Sequence, residues 1–281
     1  GSAANRYRIA VEIVRRTREA VGPRFIIIYR LSMLDLVPDG NSWDEIVAQA
    51  KAVEAAGATL INTGIGWHEA RIPTIATMGP RAAFTWVTRR LKGEVGIPLV
   101  TTNRINTAAV AEQVLADGDA DMVSMARPLL ADADFVNKAA TGRADEINVC
   151  IACNQACLDH TFSRQLASCL LNPRACRETE LNYLPAAVRK SLAVVGAGPA
   201  GLAFACVAAR RGHRVTLFEA AREIGGQFNL AKRIPGKAEF AETLRYYARQ
   251  LELSGVEVRL GTAAGVDQLS GFDEVVLATG V

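Results

Sequence analysis

Residues 191–201 read Ser-Leu-Ala-Val-Val-Gly-Ala-Gly-Pro-Ala-Gly, a short apolar run that breaks into a glycine turn and then into helix-forming sequence. A strand feeding such a turn at the start of a helix is the opening unit of a Rossmann-like dinucleotide-binding fold. Each glycine has its own task. Gly196 makes the tight turn, Gly198 leaves room for a pyrophosphate beside the backbone, and Gly201 lets the helix pack closely, with Ala200 in the same turn. Glu219 ends the next predicted strand, Arg214 to Phe218, and is placed to accept a ribose hydroxyl.

Toward the carboxyl end the pattern continues through a helix from Lys237 to Leu253 and strands near Val256–Leu260 and Glu274–Ala278. Two further strings, Glu223-x-Gly225-Gly226-Gln227 and Leu277-Ala278-Thr279-Gly280, resemble those of two-dinucleotide flavoproteins. That resemblance implies FAD for this fold, with Gly226 and Gln227 close to it, and a nicotinamide domain following in a longer parent protein. Ser191 to Ala209 carries no charged side chain and matches a membrane span in length, but Gly196, Gly198, Pro199 and Gly201 interrupt it.

Toward the amino end four short apolar runs recur: Phe25–Tyr29, Thr59–Thr63, Pro98–Thr102 and Asp121–Met125. Helical patterns separate them, among them Ser42 to Ala56, with Ser42 as cap and Glu45 completing a capping box, and Asn106 to Ala116. The βαβαβαβ order implies a parallel sheet, either open or part of a (β/α)8 barrel. Polar residues gather after the runs, at Arg30, Gly64–His68, Asn103-Arg104 and Ala126-Arg127, where barrel active sites lie. The expected fold class is therefore α/β: residues 1–140 form the C-terminal half of a TIM barrel, 141–189 a cysteine-rich iron-sulfur connector, and 190–281 a partial Rossmann-like FAD-binding domain. The missing barrel half is expected in the parent protein.

Five of the six cysteines fall between Cys150 and Cys176. Cys150-x2-Cys153-x3-Cys157-x11-Cys169 places four thiols on one connector, suited to a 4Fe-4S cluster shielded by Ile151, Ala152 and Leu158. Zinc is the alternative, with His160 as a substitute ligand. Cys176 and Cys206 read as structural.

If the third and fourth runs are the last two barrel strands, their loops are where such barrels hold phosphate, which points to FMN. Arg104, Ala126 and Arg127 then supply donors to its phosphate or ring, and Arg30 places positive charge beside the flavin. His68, within Gly64-Ile-Gly-Trp-His-Glu-Ala-Arg-Ile-Pro73, is the candidate for proton transfer, with Glu69 and Arg71 beside it.

The 281 residues are 50% hydrophobic and 22% charged, with a net charge of +3 and no blocks of like charge. This excludes disorder and a nucleic-acid-binding face. Arg6, Arg8 and Glu12 precede any apolar run, so no signal peptide is visible and a cytoplasmic location is expected.

Over its whole length the sequence resembles the bacterial 2,4-dienoyl-CoA reductases, within the old-yellow-enzyme-like NADH:flavin oxidoreductases. The strings carrying this are Gly64–Pro73, Ser124-Met-Ala-Arg127-Pro-Leu, Cys150-Ile-Ala-Cys153-Asn-Gln-Ala-Cys157 and Asn172-Pro-Arg-Ala-Cys176. The resemblance implies an electron relay from NADPH through FAD and the cluster to FMN, which reduces a conjugated acyl-CoA in fatty acid breakdown. It implies that His68, Glu69, Ala70 and Arg71 meet the substrate, with His68 assisting protonation alongside a tyrosine from the other barrel half. Trimethylamine and histamine dehydrogenases share the layout and are the alternative. A non-catalytic flavin and cluster module that passes electrons is a third reading.

Overall fold

The computed structural model describes residues 1–67 and 69–280. They form two compact units, Gly1–Ala126 and Arg127–Val281. Among the described residues no helix is long and apolar enough to cross a membrane.

The first unit contains α1 (Ala3–Val21), β1 (Ile28–Leu34), α2 (Trp43–Ala55), β2 (Leu60–Ile65), α3 (Thr85–Leu91), β3 (Leu99–Thr101), α4 (Ala108–Ala116) and β4 (Met122–Val123). The four strands are parallel and hydrogen-bonded in sequence order. Apolar side chains at Leu31, Met33, Ile61, Ile65 and Leu99 are buried on one face against Ile46 and Ala50 of α2 and Val87 and Leu91 of α3. Ile46, Ala50 and Val53 recur at helical spacing, which is why α2 has one buried face. Its start is fixed by the capping box predicted from Ser42 and Glu45, a feature that contributes about 1 kcal/mol. Thr63, Thr88 and Thr101 join their hydroxyls in a buried chain that ties α3 to β2 and β3.

Alternation sends the remaining strand residues to the opposite face. One row of the ladder runs Arg30, Asn62, Val100, Met122 across all four strands. Here the structure corrects the sequence. The first strand does not end before Arg30 but begins at Ile28 and runs through Arg30 to Leu34. Phe25 and Ile26, the apolar start of the expected strand, are exposed. Hydrophobicity located that strand too early because its second face carries the polar residues Arg30 and Ser32.

The second unit opens with α5 (Arg127–Ala131) and α6 (Phe135–Ala140). The Lys138–Asp132 ion pair joins them, and they are tied to the connector by Lys138 Nζ donating to the Glu146 carbonyl, by Asn148 N donating to Asp132, and by Asn172 Nδ2 donating to the Leu130 carbonyl. The connector itself has little regular structure beyond a tight helical turn at Ala144–Glu146, a wide one at Gln155–Asp159 and α7 (His160–Phe162). The rest comprises β5 (Ser191–Val195), α8 (Pro199–Arg210), β6 (Arg214–Phe218), α9 (Phe228–Ala231), α10 (Ala241–Ser254), β7 (Glu257–Arg259), α11 (Val266–Leu269) and β8 (Glu274–Leu277). Its parallel sheet has the order β7-β6-β5-β8. The order reverses at β5, and in such sheets ligands bind beyond the strand ends at the point of reversal. The stretch that imitates a membrane span is β5, the glycine turn and most of α8.

Candidate functional site

The glycine turn sits at that reversal, and its geometry shows why Gly196 and Gly201 carry no side chain. Gly196 has φ +104°, and a Cβ there would lie 2.4 Å from the Ala278 carbonyl oxygen. A Cβ on Gly201 would lie 1.9 Å from the Gly196 carbonyl oxygen. At Gly198 a Cβ would meet nothing within 4 Å, so the absence of a side chain there serves open space at a helix N-terminus, the setting that receives a phosphate. The Gly225-Gly226 pair folds over this turn: Gly225 N donates to the Ala197 carbonyl at 2.7 Å, and a Cβ on Gly226 would approach Gly198 Cα at 3.2 Å. Ala200 is exposed on the first turn of α8, and Gln227 lies just before α9.

Glu219 follows β6, where its carboxylate is clamped by backbone amides. Oε2 accepts from Ala197 N at 2.7 Å and Oε1 from Ala221 N at 2.9 Å. Each oxygen keeps a lone pair for a ribose hydroxyl. Ala278 N donates to the Val195 carbonyl, so the Ala278-Thr279-Gly280 segment returns to the turn as expected.

Cys150, Cys153, Cys157 and Cys169 line one pocket with Arg127, Leu130, Asn154 and Leu171 among its walls. Cys176 is exposed, and His160 places Nδ1 at 3.2 Å from the Leu166 carbonyl; neither lines the pocket. Of the three residues expected to shield it, Ile151 and Ala152 are buried and Leu158 is half-buried. Burial pushes the Cys150 and Cys153 thiols upward and that of Cys169 up to about 11. Opposing this, backbone hydrogen bonds reach the sulfurs from Ala152, from Gln155, and from Leu171 and Asn172 respectively. Left-handed backbone at Ala152 and Asn154 bends the chain around the sulfurs. Among the described residues no three His, Cys, Asp or Glu gather as around one metal ion. Four sulfurs spread around one pocket, three of them served by amide donors, fit a polynuclear cluster, which shares their charge.

In the first unit the candidate flavin face is the row through Arg30 and Asn62. The Arg30 guanidinium lies over Gly64, where a Cβ would meet Nη2 at 3.4 Å. Asn62 Oδ1 is buried without a hydrogen-bond partner, an arrangement that costs free energy unless a ligand donor meets it. A flavin, with ring N–H and carbonyl groups, fits that acceptor and the neighbouring cation. Asn62 was missed in the sequence, although a polar residue inside the run Leu60-Ile61-Asn62-Thr63 was the available signal.

Arg104 is buried, and its Nε donates to the Gly79 carbonyl at 2.6 Å. Asn103 and Arg104 both have left-handed backbone, φ 73° and 57°, an unusual pair for residues with side chains. Asn103 Nδ2 donates to the Thr74 carbonyl and Ala82 N to the Arg104 carbonyl, so the loops after β2 and β3 are joined. Ala126 is exposed at the end of the first unit. Arg127 belongs to the second unit, where Nη1 donates to Asn154 Oδ1.

The loop after β2 is anchored by Asp35, also missed in the sequence. Asp35 is buried and accepts from Ser32 Oγ, Asn41 N, Asn41 Nδ2 and Trp67 Nε1. Burial pushes its carboxyl upward, but these donors outweigh burial and hold it below the usual carboxylate range. Gly66, at φ +74°, turns the chain where a Cβ would meet Thr74 Cγ2 at 3.0 Å. His68 lies outside the described residues. Beside it, Ala70 N donates to the Trp67 carbonyl, and Glu69 and Arg71 are exposed.

Comparison with known proteins agrees with both halves of this geometry. The pattern of the NADH:flavin oxidoreductase / NADH oxidase family matches residues 1–146, and that of an NAD(P)-binding Rossmann-like domain matches residues 194–257. A metal reductase from Desulforamulus reducens is 39% identical over 286 residues, covering 100% of this chain and 43% of the relative. A structure of 2-naphthoyl-CoA reductase with 2-naphthoyl-CoA superposes with a TM-score of 0.96 at 36% identity, covering 100% of this chain and 43% of that one. Histamine dehydrogenase from Rhizobium sp. 4-9 superposes with a TM-score of 0.88 at 27% identity, covering 100% and 42%. The chain thus spans less than half the length of these relatives. With its parallel α/β fold, its Rossmann-like unit and the family pattern over more than half its length, the chain belongs to the NADH:flavin oxidoreductase / NADH oxidase family of flavin-dependent oxidoreductases.

Proposed function

We propose that this chain carries the FMN face, the 4Fe-4S connector and the FAD-binding turn of an NADPH-dependent reductase acting on 2,4-dienoyl-CoA thioesters. The observation that carries the reading is the four-thiol pocket in one unit with a dinucleotide-type glycine turn, in a chain of this family. The similarity to 2-naphthoyl-CoA reductase supports a conjugated acyl-CoA as substrate class. In this reading the four-stranded sheet is a segment of a barrel: its strands follow in order, with α2 and α3 on one face only.

When bound, the flavins and the cluster supply hydride and single-electron chemistry. The chain's own residues do the rest. Arg30 and Asn62 hold the flavin ring, Arg104 and the backbone near Ala126 and Arg127 meet its phosphate side, and Gly226, Gln227 and Glu219 hold FAD. Cys150, Cys153, Cys157 and Cys169 ligate the cluster. His68 delivers the proton to the reduced acyl chain, and Glu69, Ala70 and Arg71 orient the thioester, Arg71 by meeting the phosphates of coenzyme A.

The test is NADPH oxidation by the purified flavoprotein with a 2,4-dienoyl-CoA, set against oxidation of histamine or trimethylamine with an artificial acceptor. Dienoyl-CoA-dependent oxidation is expected. The likeness to histamine dehydrogenase favours an amine as the second reading, and amine-dependent reduction of the acceptor without dienoyl-CoA activity would establish it instead.

A further inference from the structure

Arg127 opens α5, and its guanidinium is tethered: Nη1 donates to the side-chain oxygen of Asn154, 27 positions along the chain. Asn154 directly follows Cys153, with φ 63°. Asparagine is among the residues that tolerate this left-handed conformation best, so the turn that brings Cys153 to the pocket also presents the amide to Arg127. Arg127 lines the same pocket as the four thiols. Among the described residues lining that pocket it is the one cationic side chain, and the other walls are Leu130, Ile151, Ala156, Leu170 and Leu171. Apolar walls screen charge poorly, so a fixed cation acts strongly across such a space.

We propose that Arg127, held in place by Asn154, is a positioning residue that sets the reduction potential of the cluster ligated by Cys150, Cys153, Cys157 and Cys169. The inference rests on the cluster reading above. Reduction adds one electron and, with it, one negative charge; the electron comes from a reduced flavin and leaves again to the second flavin, and no proton is taken up. A fixed positive charge stabilises the more negative, reduced state, and so raises the potential. The tether matters as much as the charge. An arginine side chain loses substantial rotamer entropy when held, and Asn154 supplies the bond that holds it.

The experiment uses the holoprotein and reads iron and acid-labile sulfide, flavin content, and the midpoint potential of the cluster by dithionite titration followed by electron paramagnetic resonance. Arg127→Gln removes the charge. Asn154→Gly removes the tether while permitting the left-handed backbone. Arg127→Lys restores the charge without the planar fork. At matched flavin content, the midpoint should move to more negative values in Arg127→Gln, less far in Asn154→Gly, and return toward that of the unaltered protein in Arg127→Lys. Full iron content with an unmoved midpoint in both Arg127→Gln and Asn154→Gly would overturn the proposal. Loss of iron from all three variants would also overturn it, assigning Arg127 to assembly. An unaltered protein with neither iron nor sulfide would sink the cluster reading itself, a result distinct from both.

Discussion

Trp67 Nε1 donates to Asp35 Oδ1 at 3.1 Å, joining the loop after β2 to a buried carboxylate at the end of β1. Asp35 takes three further donors from Ser32 and Asn41. Asp35→Ala should therefore cost about 2–3 kcal/mol in chemical denaturation, because it leaves donors facing a space without an acceptor. The pH dependence follows from the depressed carboxyl. Its contribution is complete above the unfolded value of about 4 and is lost as the pH falls through the folded value. Asp35→Asn should remove that part of the acid-side loss of stability, and an unchanged pH profile would show that the carboxylate is not what responds.

The glycines of the dinucleotide turn should separate folding from binding. Gly201→Ala pushes a Cβ to 1.9 Å from a backbone oxygen and should lower stability by about 3 kcal/mol, at the severe end for overpacking. Gly198→Ala meets no protein atom within 4 Å. It should fold normally yet bind FAD about tenfold more weakly, roughly 1.4 kcal/mol. Thermal unfolding and bound-flavin content measure the two effects, and equal unfolding by both variants would refute the division.

Cys153→Ala should abolish bound iron and sulfide, whereas Cys176→Ser should leave both unchanged, since the exposed Cys176 is outside the four-thiol pocket. Zinc without sulfide in the unaltered protein would refute the cluster.

His68→Ala should lower dienoyl-CoA turnover by about 10²-fold while NADPH-driven reduction of an artificial acceptor through FAD continues. Arg71→Ala should mainly raise KM, as loss of a contact equally strong in ground and transition states does. Parallel loss of both activities in His68→Ala would assign that residue to the fold.

What was legible in the sequence was what the backbone demands locally. A positive φ at Gly196, the tight packing of Gly201 and the Ser42–Glu45 capping box each require a particular residue at a particular place, and each was found there. The thiol spacing anticipated a shared pocket for the same reason. What escaped were partnerships made in three dimensions. Arg127 and Asn154 meet across 27 positions, and Trp67 and Asp35 across 32, with no periodicity to announce either. Arg30 was set after its strand because apolar Phe25 and Ile26 looked more strand-like than the half-polar segment that pairs with β2.

The amide clamp on Glu219 also governs which dinucleotide this cleft accepts. Because Ala197 and Ala221 hold both carboxylate oxygens, the negative charge stays fixed where a phosphate on the ribose 2′ position would have to lie. Such a cleft should admit a dinucleotide with a free ribose and repel a phosphorylated one. Under the proposed reading, an NADPH donor would thereby be kept from competing with FAD for this seat, a selection made by charge at one glutamate.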